Sequence, residues 1–416
     1  MSRSLSVIVL MLAIALPAMA MADDTGLDPL LELLVRKGVI TQEEAQALQT
    51  EADAEESTPA VAPAAPAAEP APASAPALKG LKIGTTTYLS YQDGQTGGDD
   101  FSQFRIKRGY VDIRQKITDT FSVRLTPDVT QDSTGDIKVR MKYAYGQFQW
   151  DDYGVLGKPK VEFGIAHMPW LDFEESVNRY RMQDTMFLER NGIFNSADAG
   201  VMFGANLGRE LDEGYRTNVN SHYAGRWGSF QVGVYNGGGY HSSEANADKV
   251  VEGRLTLRPL PDVAPGLQLS VLGLDGKGNV ADTSSAPAPD WTVFNAMVSH
   301  ESPRFTATGQ WYTGDGNQKG GAIGADGTAR RQEGWSLFTE VKLDPARTWA
   351  VFGRYDRFDG DADSPSGDAV TKRSILGLAW WFHKSNAWVL DYDRVELDTP
   401  GSDTDHRLQL TLQIKY

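Results

Sequence analysis

The 416-residue chain contains no cysteine. That excludes disulfide staples, thiolate metal centres, a cysteine nucleophile and a cysteine-borne lipid anchor. Beyond residue 22 there is no apolar run of the roughly 20 residues that a transmembrane helix needs. Basic residues are outnumbered, 40 Lys and Arg against 55 Asp and Glu for a formal net charge of -15, which argues against nucleic acid as a partner. The six histidines are scattered without metal-ligand spacing, so no metal and no cofactor are expected. No serine sits in a motif that would supply a histidine and an orienting acid, so catalysis is not expected either.

Glycine and aromatic residues, by contrast, are plentiful: 42 Gly, 10 Trp, 15 Tyr and 16 Phe. Residues 1–22 carry Arg3, the apolar run Leu5 to Leu16 and two small-x-small sites at Ala18–Ala20 and Ala20–Ala22. This is the pattern of a secretory signal peptide. Residues 23–56 read as a periplasmic helical, coiled-coil-like segment. Asp28-Pro29 opens one helix, Lys37-Gly38 ends it, and Thr41 and Glu44 form a capping box for a second. Helices this short are marginal alone in water, so self-association is expected. Residues 57–79 form a Pro/Ala-rich linker. Its stretch 59–77 holds six Pro and ten Ala, and as extended chain it spans on the order of 60 Å.

From residue 80 to residue 416 alternating segments follow one another, and sixteen strands can be marked out. Short links such as "TDT", "ESP", "DPA" and "KS" alternate with long polar ones such as "QDGQTGGDD" and "DGKGNVADTSSAPAP". Sorting by parity is the mark of an up-and-down barrel with two unlike rims. Residues 207–228 have room for an extra strand, but closure requires an even count. Aromatics gather at two levels. Phe121, Trp150, Phe305, Trp349, Phe382, Trp388 and Tyr416 lie beside short turns, whereas Tyr88, Tyr235, Trp311, Tyr355 and Tyr392 lie toward long loops. Two such levels are interface belts. The fold expected is a 16-stranded antiparallel transmembrane β-barrel over 80–416, preceded by the helical segment and the linker.

Charge then selects the inner face. Segment 101–142 carries nine basic and five acidic residues inside an acidic chain. A charge aimed at lipid costs about 2–4 kcal/mol at mid-bilayer. Arg105, Lys107, Arg108, Arg124, Lys138, Arg140 and Lys142 are therefore expected to line the pore and attract anions. Val139, Met141, Tyr143 and Tyr145 are assigned to the lipid side. Adjacent Lys107 and Arg108 break alternation and suggest a bulge near Gly109. Asp356, Asp391 and Asp393 on the far wall are expected as partners across the lumen. Loop 168–198 is too long for a plain connection. Its anchors Trp170, Phe173, Met186, Phe187, Leu188 and Phe194 favour folding inward. There it would present Glu174, Glu175, Arg179, Arg181, Asp184, Glu189 and Arg190 at a constriction. Acidic "DGDADSPSGD" lacks the Gly and Glu of an EF-hand and reads as a surface loop.

The stretches "FRIKRGYVDIRQKITDTFSVRLTPDV", "VEFGIAHMPWLDFEE", "MFLERN" and "DAGVMFGANL" resemble the phosphate-selective porin O and P family over most of 80–416. The resemblance implies a sixteen-stranded outer-membrane barrel, usually a homotrimer, with an inward third loop. It places the family's basic strand-2 motif on Arg105, Lys107 and Arg108, and its loop-3 "ERN" on Glu189 and Arg190. One departure is that His167-Met168 precedes the loop-3 Pro169, where members commonly carry Lys or Phe just before it. The function expected is an outer-membrane porin, a water-filled channel for passive diffusion of small hydrophilic solutes with preference for anions such as phosphate. A structural outer-membrane protein, whose N-terminal helices tether or trimerise it around a non-selective pore, is the alternative. Expected partners are outer-membrane lipid and lipopolysaccharide, peptidoglycan for the periplasmic N-terminal segment, and the insertion machinery of a Gram-negative cell. Tyr416, ending the apolar stripe of "HRLQLTLQIKY", resembles the signal that machinery reads.

Overall fold

The computed structural model describes residues 35–37, 41–47, 50 and 80–416, apart from 133, 285, 365–368 and 400. The signal peptide and the Pro/Ala linker lie outside the described residues. In the N-terminal unit residues 42–47 are helical and the capping box is made: the Thr41 amide donates to Glu44 at 2.7 Å, and the Glu44 amide donates to Thr41 Oγ1 at 3.3 Å. Two orphan amides at the helix start are thereby satisfied reciprocally.

Sixteen strands build the second unit. They are β1 (Leu81–Thr96), β2 (Asp99–Lys116), β3 (Phe121–Gln131), β4 (Ile137–Gln149), β5 (Leu156–His167), β6 (Ala197–Leu207), β7 (Gly228–Tyr235) and β8 (Val250–Leu257). The second half comprises β9 (Leu267–Lys277), β10 (Asp290–Glu301), β11 (Phe305–Asp315), β12 (Arg331–Lys342), β13 (Trp349–Asp359), β14 (Val370–His383), β15 (Asn386–Leu397) and β16 (Asp405–Lys415). Each pairs antiparallel with its sequence neighbours, and β1 closes on β16 from Thr86↔Lys415 to Gln95↔His406. Closure leaves no edge strand, so each strand has a hydrogen-bonded neighbour on both sides. Residues 207–228 hold a short helix (Glu213–Asn218) capped by Asp212, not a further strand, which keeps the count even.

Alternation decides what each strand shows. In β10, Trp291, Asn295, Met297 and Ser299 are buried inside, while Phe294 and Val298 stand exposed outside. The rim carrying the short turns is ringed outside by exposed Trp150, Phe305, Trp349, Phe382, Trp388 and Tyr416. Trp349 stacks on Trp380 of the next strand at 5.7 Å. At the other level Trp311 and Tyr392 face outward as expected, but Tyr88 and Tyr235 point into the lumen and are buried there. "QDGQTGGDD" is not a loose loop. β1 and β2 run on through it and turn at Gly97-Gly98, both with positive φ (58° and 84°), the conformation a two-residue hairpin demands.

Candidate functional site

The lumen is shaped by the segment between β5 and β6, which turns inward as α1 (Leu171–Val177), an irregular stretch and α2 (Phe187–Arg190). All six expected anchors are buried, and Trp170, Phe187 and Leu188 have no exposed surface. Trp170, Phe173 and Phe187 pack with inward apolar residues of β6–β11 and β13, among them Tyr235, Leu272, Trp291 and Tyr312. Further along, Tyr180 stacks on Phe352 at 3.9 Å, and Met182 joins Phe338, Ile375 and Val389. An apolar patch on the inner wall would be costly if left bare to water. The loop covers it, and that burial is what holds the loop in.

Polar contacts finish the attachment. Lys107 Nζ donates to the carbonyls of Met182, at 3.0 Å, and Gln183, while Gln409 Nε2 donates to the Gln183 carbonyl at 2.8 Å. Arg407 pairs with Asp184 at 3.1 Å, and Arg179 and the Tyr180 hydroxyl both donate to Glu340. The loop therefore crosses from β5 to β16, laid over the β6–β15 side. Glu174 accepts from Trp170 Nε1 at 2.9 Å and from Gln310 at 2.6 Å, and burial pushes its carboxyl up to about 7. Burial acts on Asp184 in the same sense, but the charges of Lys107, Arg190 and Arg407 overcome it and hold that carboxyl well below the usual range. Arg181 bridges Glu175 at 2.9 Å and Glu189 at 3.0 Å. Arg190 donates to Gln183 Oε1 at 3.0 Å; burial, with Arg354 nearby, lowers its guanidinium to about 10.

Opposite the loop stands the β2–β5 wall. The strand-2 bulge is present: Tyr88 pairs with Arg108 and Leu89 with Ile106, so Lys107 is the extra residue and both cations reach the lumen. A second bulge was not anticipated. Thr126 pairs with Tyr143 and Pro127 with Met141, skipping Lys142. Pro127 has no amide to give the ladder, and the register slips there. A one-residue slip reverses every later side chain. Tyr143 and Tyr145, assigned to the lipid side, are consequently buried within the lumen, whereas Val139 and Met141 face outward as expected.

The partners of the basic residues also differ from expectation. Asp356 pairs with Arg354 at 2.7 Å, and Asp393 with Arg373 and Arg407 at 2.9 and 3.0 Å; Asp391 accepts from Gln409. None of the three reaches the basic wall by an ion pair among the described residues. That wall uses acids from its own hairpins. Arg108 and Arg140 share Asp128 (3.4 and 2.6 Å), Arg124 meets Asp112 at 2.7 Å, and exposed Lys138 meets Asp132 at 2.8 Å. Neighbouring strands are about 4.8 Å apart, so an adjacent acid is always nearer than one across the barrel. Arg105 is exposed and makes no ion pair among the described residues.

Sequence reasoning missed one node. Glu162 accepts from Lys160 at 2.8 Å and from His167 Nδ1 at 2.7 Å. His167 Nε2 accepts from Arg124 at 3.1 Å, a contact that requires the tautomer protonated at Nδ1, because a guanidinium can only donate. The ring also lies against Tyr143, tilted by 36° with centroids 4.4 Å apart. This histidine joins the base of the inward loop to the basic wall, and its departure from the family pattern was the available signal. In the acidic run after β13, Asp359 lies 3.6 Å from Arg357 and Asp361 lies 3.5 Å from Arg330, while residues 365–368 fall outside the described residues.

No protein-family model and no curated protein matches the chain. Solved structures do. Salmonella typhi OmpF, in complex with daunomycin, aligns with a TM-score of 0.54 at 9% identity, covering 80% of this chain and 97% of that one. The anion-selective porin of Comamonas acidovorans aligns with a TM-score of 0.53 at 10% identity, covering 81% and 99%. The trimer form of in-vitro folded OmpT, an outer membrane protein of Vibrio cholerae, aligns with a TM-score of 0.51 at 9% identity, covering 81% and 99%. At such identities the likeness is one of fold alone, a barrel fold shared with these outer-membrane proteins.

Proposed function

We propose that the protein is an outer-membrane channel through which small hydrophilic solutes diffuse passively, with a bias toward anions, inorganic phosphate among them. One observation carries this reading. The inward loop packs against the β6–β15 side of the barrel, and on the β2–β4 wall Arg105, Lys107, Arg108, Arg124, Lys138, Arg140 and Lys142 outnumber Asp112, Asp128 and Asp132. A cleft lined mainly by one sign of charge raises the local concentration of the opposite ion. Across the path Asp172, Glu175 and Glu189 carry the opposite sign, with Arg181 between the last two. The resulting field is transverse, and the anion bias is moderate.

In this reading the short-turn rim faces the periplasm and the aromatic rings mark the two membrane interfaces. The signal peptide directs export, and the 23–56 segment assembles a homotrimer or meets peptidoglycan. Purified protein in a planar bilayer under a tenfold KCl gradient will show a zero-current potential of the sign given by chloride as the faster ion. A potassium-favouring potential sinks the anion bias, and absence of conductance sinks the channel. The membrane orientation has its own check. Leu376→Arg, at an exposed outward site of β14, will lower barrel stability by about 2–4 kcal/mol in urea unfolding from vesicles. An unchanged midpoint would mean that this face does not meet lipid.

A further inference from the structure

Among the seven basic wall residues Lys142 stands apart. Arg108 and Arg140 are engaged by Asp128, Arg124 by Asp112, Lys138 by Asp132, and Lys107 by two loop carbonyls. Arg105 is exposed. Lys142 is more than nine-tenths buried, with 7% of its surface exposed, yet among the described residues its ammonium makes neither an ion pair nor a hydrogen bond. Its Nζ lies over two ring faces instead, 4.7 Å from the Tyr110 centroid and 5.4 Å from that of Tyr143. Glu175, whose charge it feels, is held by Arg181 at 2.9 Å. A second unmet group lies beside it. The Tyr110 hydroxyl is buried and has no hydrogen-bond partner.

Taking most of a lysine side chain out of water is costly when no protein acceptor meets its three ammonium donors. Ring faces offset part of that cost by cation–π attraction but accept no conventional hydrogen bond. We infer that Lys142 Nζ and the Tyr110 hydroxyl form a two-point subsite for the oxygens of a small oxyanion, a carboxylate or phosphate group carried by a solute in transit. One oxygen takes the ammonium, a second takes the phenol, and the Lys142 bulge puts the ammonium within the lumen. A halide offers a single centre and engages only one of the two donors. The subsite rests on the channel reading for its access from water, and it singles out one cation from a wall that otherwise acts as a diffuse field.

The test is calorimetric titration of inorganic phosphate, and separately of acetate, into the full chain in detergent. Heat-modifiable gel migration verifies folding of every variant. Wild type will bind saturably. Lys142→Gln will bind at least about tenfold more weakly, the loss expected for a charge-assisted contact. Tyr110→Phe, which keeps the ring, will bind about threefold to fivefold more weakly. Lys277→Gln, at an exposed rim pair with Asp290, will match wild type. No saturable heat in wild type, or wild-type affinity in either Lys142→Gln or Tyr110→Phe, overturns the subsite. The zero-current potential of the wild type is measured in parallel. A chain that does not conduct but keeps Lys142-dependent phosphate binding refutes the channel and retains the subsite.

Discussion

Replacing residues 169–195 by a short Gly/Ser turn will raise single-channel conductance at least about threefold while the barrel still forms. The loop packs into the lumen through buried Trp170, Phe173, Phe187, Leu188 and Phe194, and nothing in the strand ladder depends on it. β5 and β6 pair with each other from Leu156↔Leu207 to His167↔Ala197, so the excision point is already closed by the sheet. The cost falls elsewhere. Trp291, Tyr312, Tyr235 and Phe352 would be left facing water. Each large apolar side chain removed from such a contact forfeits about 1.5–3 kcal/mol. The variant should therefore unfold at lower urea and conduct with less sensitivity to solute size. Both are read from bilayer recordings and heat-modifiable migration of the same preparation. Unchanged conductance in a folded variant would show that the loop is not the constriction.

Asp128→Asn should be the most damaging single change in the basic wall. Its carboxylate is completely buried and, among the described residues, is the only acid paired with both Arg108 and Arg140. Removing one member of a buried ion pair leaves uncompensated charge and typically costs about 3–5 kcal/mol. Two guanidiniums would be stranded here instead of one. Urea unfolding should register that loss, and the zero-current potential of surviving channels should move further in the anion direction. Asp119→Asn is the contrast, since Asp119 is almost wholly exposed where it pairs with Lys116 at a turn. An exposed pair of that kind contributes little, and neither reading should change. Equal effects in the two variants would mean that burial is not what gives the Asp128 cluster its weight.

Much of this protein is legible without coordinates, for reasons tied to particular residues. Strands of period two cannot hide which side is apolar, so "HRLQLTLQIKY" declares Leu410 and Leu412 outward and Gln409 and Thr411 inward, and the buried residues agree. The anchors of the inward loop were readable because six large apolar side chains in a long connection need cover. The capping box of Thr41 and Glu44 is local and needed no partner. Bulges were harder. Lys107 betrayed itself by sitting next to another cation, but the slip at Lys142 is caused by Pro127 on a different strand, and its effect on Tyr143 and Tyr145 depends on the register between them.

The closed sixteen-stranded count, the inner and outer faces of most strands and the inward loop follow from composition and spacing, because each is set by the chain's own alternation and by the aversion of apolar groups to water. Which cation meets which acid does not follow. Asp128 rather than Asp393 neutralises Arg108, and among the described residues Lys142 meets ring faces and no acid, because those pairings are fixed by strand adjacency and by one bulge. Adjacency between strands exists only once the sheet has closed.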